Sequence, residues 1–251
     1  MKKYVNLFVF VFMIGACLSQ GRAQTKSAVS YKNPVVDIAM PDPTVIKAAD
    51  GYFYVYATES TRNVPIMKSK DLVEWTYCNT AFTNKTRPRF EPKAGIWAPD
   101  INYINGKYVL YYAMSVWGGE QTCGIGVATA DSPQGPFTDH GKMFRSNEIG
   151  VQNSIDPSFL QYEGRNYLVW GSFRGIYVIE LTADGLSIMP GAKKKRIAGT
   201  AFEAVYIHKH GDYYYMFASI GSCCQGVKST YKVVVGRSKK VWGPYKDKTG
   251  K

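Results

Sequence analysis

Four carboxylates recur at comparable places along this chain: Asp42, Asp100, Asp156 and Glu203, spaced 58, 56 and 47 residues apart. Each leads a short apolar run: Asp42-Pro43-Thr44-Val45-Ile46, Asp100-Ile101-Asn102-Tyr103-Ile104, Asp156-Pro157-Ser158-Phe159-Leu160 and Glu203-Ala204-Val205-Tyr206-Ile207. Carboxylates gathered in one pocket cannot all titrate normally, because like charges and burial both favour the protonated form. One then serves as an acid near neutral pH while another stays ionised as a base. Hydrolysis of a glycosidic bond uses that division of roles. Trp97 and Trp117 lie near the acids in sequence and offer flat faces on which a sugar could stack. A ring of acids is also a candidate cation site. No Asp-x-Asp loop, His-Glu-x-x-His, Gly-x-Ser-x-Gly or phosphate-binding glycine loop is present, however. His208 and His210 share one face of a strand, but beside Gly211 they read as surface residues.

The elements that must position these acids repeat with them. After each acid-led run comes a glycine turn, at Asp50-Gly51, Asn105-Gly106, Glu163-Gly164 and His210-Gly211. An aromatic-rich strand follows each turn, such as Tyr52-Phe53-Tyr54-Val55-Tyr56 or Tyr213-Tyr214-Tyr215-Met216-Phe217. Asn-Gly and Asp-Gly favour tight hairpins because those turns need positive φ. A second pair of short strands follows each hairpin, marked by Ile66-Met67-Lys68, Gly126-Val127-Ala128, Ile176-Tyr177-Val178 and Val233-Val234-Val235. Four strands per unit at this period predict an all-β fold of the β-propeller type. The first strand of each blade then borders the central channel, and the four acids ring one mouth of it. The prolines flanking Asp42 fix its surroundings, and Pro43 biases Asp42 towards extended backbone.

Composition agrees with strands: the 251 residues include 19 tyrosines and little long apolar helical pattern after the N-terminus. Residues 1–23 read as a secretory signal, with Lys2 and Lys3 before a short apolar stretch and Gly21-Arg22-Ala23 as the cleavage site. Ile14-Gly15-Ala16-Cys17 offers the alternative of a lipoprotein signal with a lipid anchor on Cys17. Residues 24–251 form the catalytic domain, exported to the periplasm, the cell surface or the medium, with no transmembrane span expected in the mature chain. The net charge of +12 would suit a polyanion, but export argues against nucleic acid as partner. Lys193-Lys194-Lys195-Arg196 reads as a solvated loop. Cys223 and Cys224 could bond to each other or pair elsewhere.

The motif set Asp42-Pro43-Thr44-Val45-Ile46, Trp97-Ala98-Pro99-Asp100, Ser154-Ile155-Asp156-Pro157-Ser158-Phe159 and Phe202-Glu203-Ala204 resembles glycoside hydrolase family 43. Gly221-Ser222-Cys223-Cys224, Gly236-Arg237-Ser238, Gly243-Pro244-Tyr245 and the run ending at Trp117 resemble its arabinanase branch. The resemblance implies a five-bladed β-propeller, of which four blades are evident here and the last is missing or truncated. It implies an inverting hydrolase with Asp42 as general base, Glu203 as general acid and Asp156 tuning the acid. Trp97, Trp117 and Asp100 would bind substrate. The implied partner is a plant cell-wall arabinan or arabinoxylan-type oligosaccharide, cleaved as an endo-α-1,5-L-arabinanase would, by a monomer. An exo-acting α-L-arabinofuranosidase or β-xylosidase, and a non-catalytic glycan-binding propeller, are the alternatives. No cofactor is required by the residues, although the family resemblance would allow a central calcium or similar ion. One departure is Val205, where the family often has proline.

Overall fold

A computed structural model describes residues 30–251, so the signal-like residues 1–23 and Cys17 lie outside the described residues. The sheets belong to one compact unit, Asn33–Lys251. Blade 1 is β1 (Thr44–Lys47), β2 (Phe53–Tyr56), β3 (Pro65–Ser69) and β4 (Thr76–Thr80). Blade 2 is β5 (Gly95–Ile104), β6 (Lys107–Ser115), β7 (Gly124–Ala130) and β8 (Thr138–Arg145). A single helical turn, α1 (Ser146–Ile149), leads to blade 3: β9 (Ser158–Tyr162), β10 (Arg165–Trp170), β11 (Ile176–Leu181) and β12 (Lys195–Ala198). Blade 4 holds β13 (Glu203–His210), β14 (Tyr213–Ile220) and β15 (Lys232–Ser238). Each sheet runs in chain order and every pairing is antiparallel. This is the predicted propeller arrangement, with two local differences. Blade 4 has three strands, and only the bridge between Arg237 and Lys246 stands where a fourth was expected. Lys195 and Arg196 begin the edge strand β12 instead of lying in a loop; their exposed charges suit an edge, where they discourage further pairing.

The core consists of three seams between consecutive blades. Tyr54, Tyr56, Ile66 and Phe82 of the first unit pack against Ile96, Leu110, Tyr112 and Phe137 of the second. Tyr111, Ile125 and Phe144 meet Leu168, Trp170 and Ile179. Val169, Ile176 and Val178 meet Val205, Ile207 and Met216. Burial of such side chains stabilises by about 1.5–3 kcal/mol each. Tyrosine suits these seams because its ring fills the core while its hydroxyl reaches a polar partner at the rim. Tyr111 donates across a seam to the Gly185 carbonyl at 2.8 Å, and Tyr54 donates to Asp50 at 2.7 Å. Among the described residues no such cluster joins blade 4 to blade 1. Val45 of blade 1, and Phe217, Val233 and Val235 of blade 4, are exposed.

Candidate active site

All four innermost strands begin with the same device, a β-bulge whose leading residue has positive φ. These residues are Asp42 (φ 49°), Ala98 (φ 42°), Asp156 (φ 58°) and Ala204 (φ 51°). The register slips by one residue between Trp97 and Asp100 in blade 2, and between Glu203 and Tyr206 in blade 4. In blade 1, Thr44 pairs with Tyr56 while the Thr58 N–H reaches the Pro41 carbonyl. In blade 3, Ser158 pairs with Val169 while the Gly171 N–H reaches the Ile155 carbonyl. A bulge of this kind re-aims a side chain. Aspartate tolerates the left-handed region, which explains the difference from the extended backbone expected at Asp42. The equivalent positions of the repeat are therefore 42, 98, 156 and 204. Asp100 stands two residues beyond the bulge position of its blade, and Glu203 one residue before.

Asp156 is half-buried. Burial, then the charges of Glu203 and Asp42, hold its carboxyl well above the usual carboxylate range, partly offset by the Ala204 N–H. Asp42, Asp156 and Glu203, drawn from three blades, thus share one electrostatic neighbourhood. Asp42 is exposed, and its Oδ2 accepts a 2.5 Å hydrogen bond from the Thr58 hydroxyl. Glu203 is buried, with 9 % of its surface exposed. Its Oε2 accepts from the Ser172 hydroxyl at 2.6 Å. Burial pushes the nearby Tyr231 phenol up, a Ser219 contact lowers it, and Glu203 raises it further.

Asp100 is placed differently. Its Oδ2 accepts from the Phe159 N–H of blade 3 at 2.7 Å and from Asn102 Nδ2 at 2.8 Å, and its Oδ1 lies 3.5 Å from the Thr44 hydroxyl of blade 1. Both oxygens are thus turned to protein partners, and Asp100 clamps three innermost strands together. Burial pushes its carboxyl up to about 6, against the lowering effect of these three donors.

Trp97 is half-buried against Ala113, Cys123 and Ile155, and its ring lies 5.5 Å from that of Trp117. Trp117 is 78 % exposed. It lines a pocket of about 480 Å³ with Phe173, Ser222, Gln225 and the Cys223–Cys224 disulfide. Phe173 follows the serine that holds Glu203, so this pocket adjoins the carboxylates. Cys223 and Cys224, for which the sequence left two pairings open, bond to each other.

The sequence reading passed over Thr58 and Ser172. Each stands sixteen residues after the bulge aspartate of its own blade. A signal was available: Thr58, Ser115, Ser172 and Ser219 put a hydroxyl within two residues of the end of each second strand. Behind Thr58, Glu59 lies in a buried ion pair with Arg87 and accepts the N–H groups of Asn63 and Ile96 at 2.7 and 2.9 Å. Among the described residues, no group of three or more His, Cys, Asp or Glu side chains is arranged to hold a metal ion. His208 and His210 are exposed.

The fold and these motifs have close counterparts. Residues 31–251 match the glycosyl hydrolases family 43. The chain is 38 % identical over 224 residues to an extracellular endo-alpha-(1->5)-L-arabinanase 1 of Bacillus subtilis, covering 84 % of this chain and 68 % of that protein. It is 36 % identical over 239 residues to an extracellular exo-alpha-(1->5)-L-arabinofuranosidase of Cellvibrio japonicus, covering 84 % and 67 %. A solved alpha-L-arabinanase of Cellvibrio cellulosa superposes with a TM-score of 0.76 at 33 % identity, over 85 % of this chain and 75 % of that one. With the match running through every blade and every carboxylate discussed above, the chain belongs to glycosyl hydrolases family 43.

Proposed function

We propose that this protein is an exported glycosidase that hydrolyses α-1,5-L-arabinofuranosidic linkages in arabinan with inversion, in the endo manner. The observation that carries the reading is the convergence of Asp42, Asp156 and Glu203, expressed in the upward push that the first and last exert on Asp156. Asp42 takes a proton from a water as that water attacks the anomeric carbon, so it must be ionised and reachable, and it is exposed. Glu203 gives its proton to the departing glycosidic oxygen, from a buried position shielded from bulk water. Asp156 shares the neighbourhood of both, and its own carboxyl is held up by burial and by their charges. Trp97 and Trp117, with rings tilted against each other, offer an aromatic wall for arabinofuranosyl rings. Asp100 serves this site by holding strands, since its oxygens are occupied by protein donors. No step draws on a metal ion.

Export is supported by the signal-like residues 1–23 and by relatives named as extracellular. No helix among the described residues is long and apolar enough to cross a membrane. The relative that acts in the exo manner keeps exo cleavage as a second reading. The test is release of reducing ends from linear arabinan by wild type, Asp42→Asn and Glu203→Gln. Each variant should lose about a thousandfold or more in kcat, as removal of a catalytic group does. Equal release by wild type and variants would refute the reading. Early oligosaccharide products indicate endo action, and a single small product from the start indicates exo action.

A further inference from the structure

The carboxylates assigned above as base and acid are each held by a hydroxyl sixteen residues after a bulge aspartate. In blade 1 the Ala98 N–H, from the bulge of blade 2, donates to Thr58 Oγ1 at 2.7 Å. Having accepted that bond, the hydroxyl directs its single proton to Asp42 Oδ2 at 2.5 Å. In blade 3, Asn153 Nδ2 donates to Ser172 Oγ at 2.9 Å, and the serine directs its proton to Glu203 Oε2 at 2.6 Å. The backbone repeats the parallel. The next residue donates its N–H across the seam in both cases, Glu59 to the Ile96 carbonyl at 3.1 Å and Phe173 to the Phe202 carbonyl at 3.0 Å. In blade 2, where the bulge residue is Ala98 and carries no carboxylate, Ala113 pairs with the residue before the bulge, and Ser115 lies two residues beyond Ala113. Its hydroxyl goes to the Val116 carbonyl instead.

We infer that Thr58 and Ser172 are a matched pair of positioning residues that aim the two reacting carboxylates. Each fixes one carboxylate oxygen and leaves the other to face the substrate. Thr58 takes Oδ2 of Asp42 and leaves Oδ1 to meet the attacking water; Ser172 takes Oε2 of Glu203 and leaves Oε1 for the glycosidic oxygen. Hydroxyls suit this task because a short charge-assisted bond restrains a carboxylate without adding a charge to the site. The device also couples the site to blade assembly. Thr58 is locked only when blade 2 is docked on blade 1, and Ser172 reaches Glu203 only across the seam between blades 3 and 4. The inference rests on the roles given to Asp42 and Glu203 under the proposed function.

The test uses the full chain with Thr58→Val, Thr58→Ser and Ser172→Ala. On linear arabino-oligosaccharides, Thr58→Val and Ser172→Ala should each lower kcat by about 10- to 100-fold, with KM within about twofold of wild type. Thr58→Ser, which keeps the hydroxyl, should recover to within about threefold. A general packing defect would not be rescued by the smaller serine, which lacks the methyl group. The pairing is overturned if Thr58→Val retains kcat within threefold, if serine fails to rescue, or if KM rises while kcat stays level. Should Thr58→Val not fold, Ser172→Ala carries the same comparison at the other carboxylate. A wild type inert towards arabinan would sink the hydrolase reading and leave this one to crystallography. Asp42 displaced in Thr58→Val supports the positioning role, and Asp42 unmoved refutes it.

Discussion

Asp100 should make the stability of this propeller depend on pH in a direction opposite to that of an ordinary paired aspartate. Asp100 is 9 % exposed, and burial pushes its carboxyl from the usual 3.8 up to about 6. Below pH 4 it is protonated in both folded and unfolded chains and contributes no difference. Between about 4 and 6 the unfolded chain has released the proton and the folded chain still holds it, so stability falls as pH rises through that window. Above about 6 the loss is complete. A shift of about two units corresponds to about 3 kcal/mol. Asp100→Asn keeps the shape but cannot ionise. The variant loses one acceptor towards Phe159, Asn102 or Thr44, a cost of about 1–3 kcal/mol at low pH. The difference, wild type minus variant, should then shrink or change sign by about 3 kcal/mol between pH 4 and pH 7. Urea unfolding of both proteins at one-unit steps measures it, because titrations common to both cancel in the comparison. A difference that stays flat across the range would refute the idea that this clamp is held by a buried, proton-retaining carboxyl.

Further outcomes follow from the same structure. Glu59→Gln leaves the Arg87 guanidinium buried without its counter-charge, and should cost about 3–5 kcal/mol and lower the melting temperature by roughly 10 °C; a drop under about 2 °C in a thermal melt would contradict the buried pair. Replacing both Cys223 and Cys224 by serine removes the disulfide that lines the pocket beside Trp117 and Phe173. KM for arabino-oligosaccharides should rise several-fold with a smaller change in kcat, the mark of lost binding that is equal in ground and transition states; unchanged KM in steady-state kinetics would show that the pocket takes no part in binding. Asp42→Asn and Glu203→Gln, as set out above, should abolish turnover while leaving the melting temperature within a few degrees of wild type.

The sequence alone determined the repeat, and with it the fold class. Alternating apolar residues and glycine turns are local signals, and four copies of them leave few arrangements besides a ring of hairpin-built blades. It also marked Asp42, Asp100, Asp156 and Glu203, because a carboxylate at the head of an apolar run is legible without coordinates; the family resemblance then set Asp100 apart from the other three. It misaligned the repeat, treating Asp100 and Glu203 as equivalents of Asp42. The bulge that defines equivalence depends on how two strands pair, and only the register reveals that positions 98 and 204 are the bulge positions. Asp100 stood in sequence as one more acid of the ring; which donors meet its oxygens was decided by Thr44 and Phe159, 56 and 59 residues away. The same holds for Thr58 and Ser172. A threonine or serine ending a strand is unremarkable until tertiary packing brings Ala98 and Asn153 against them and leaves each hydroxyl a single place to send its proton. Residue types and spacing could name the chemistry, since they fix which groups are present. The aim of those groups came from contacts between blades, which no local pattern encodes.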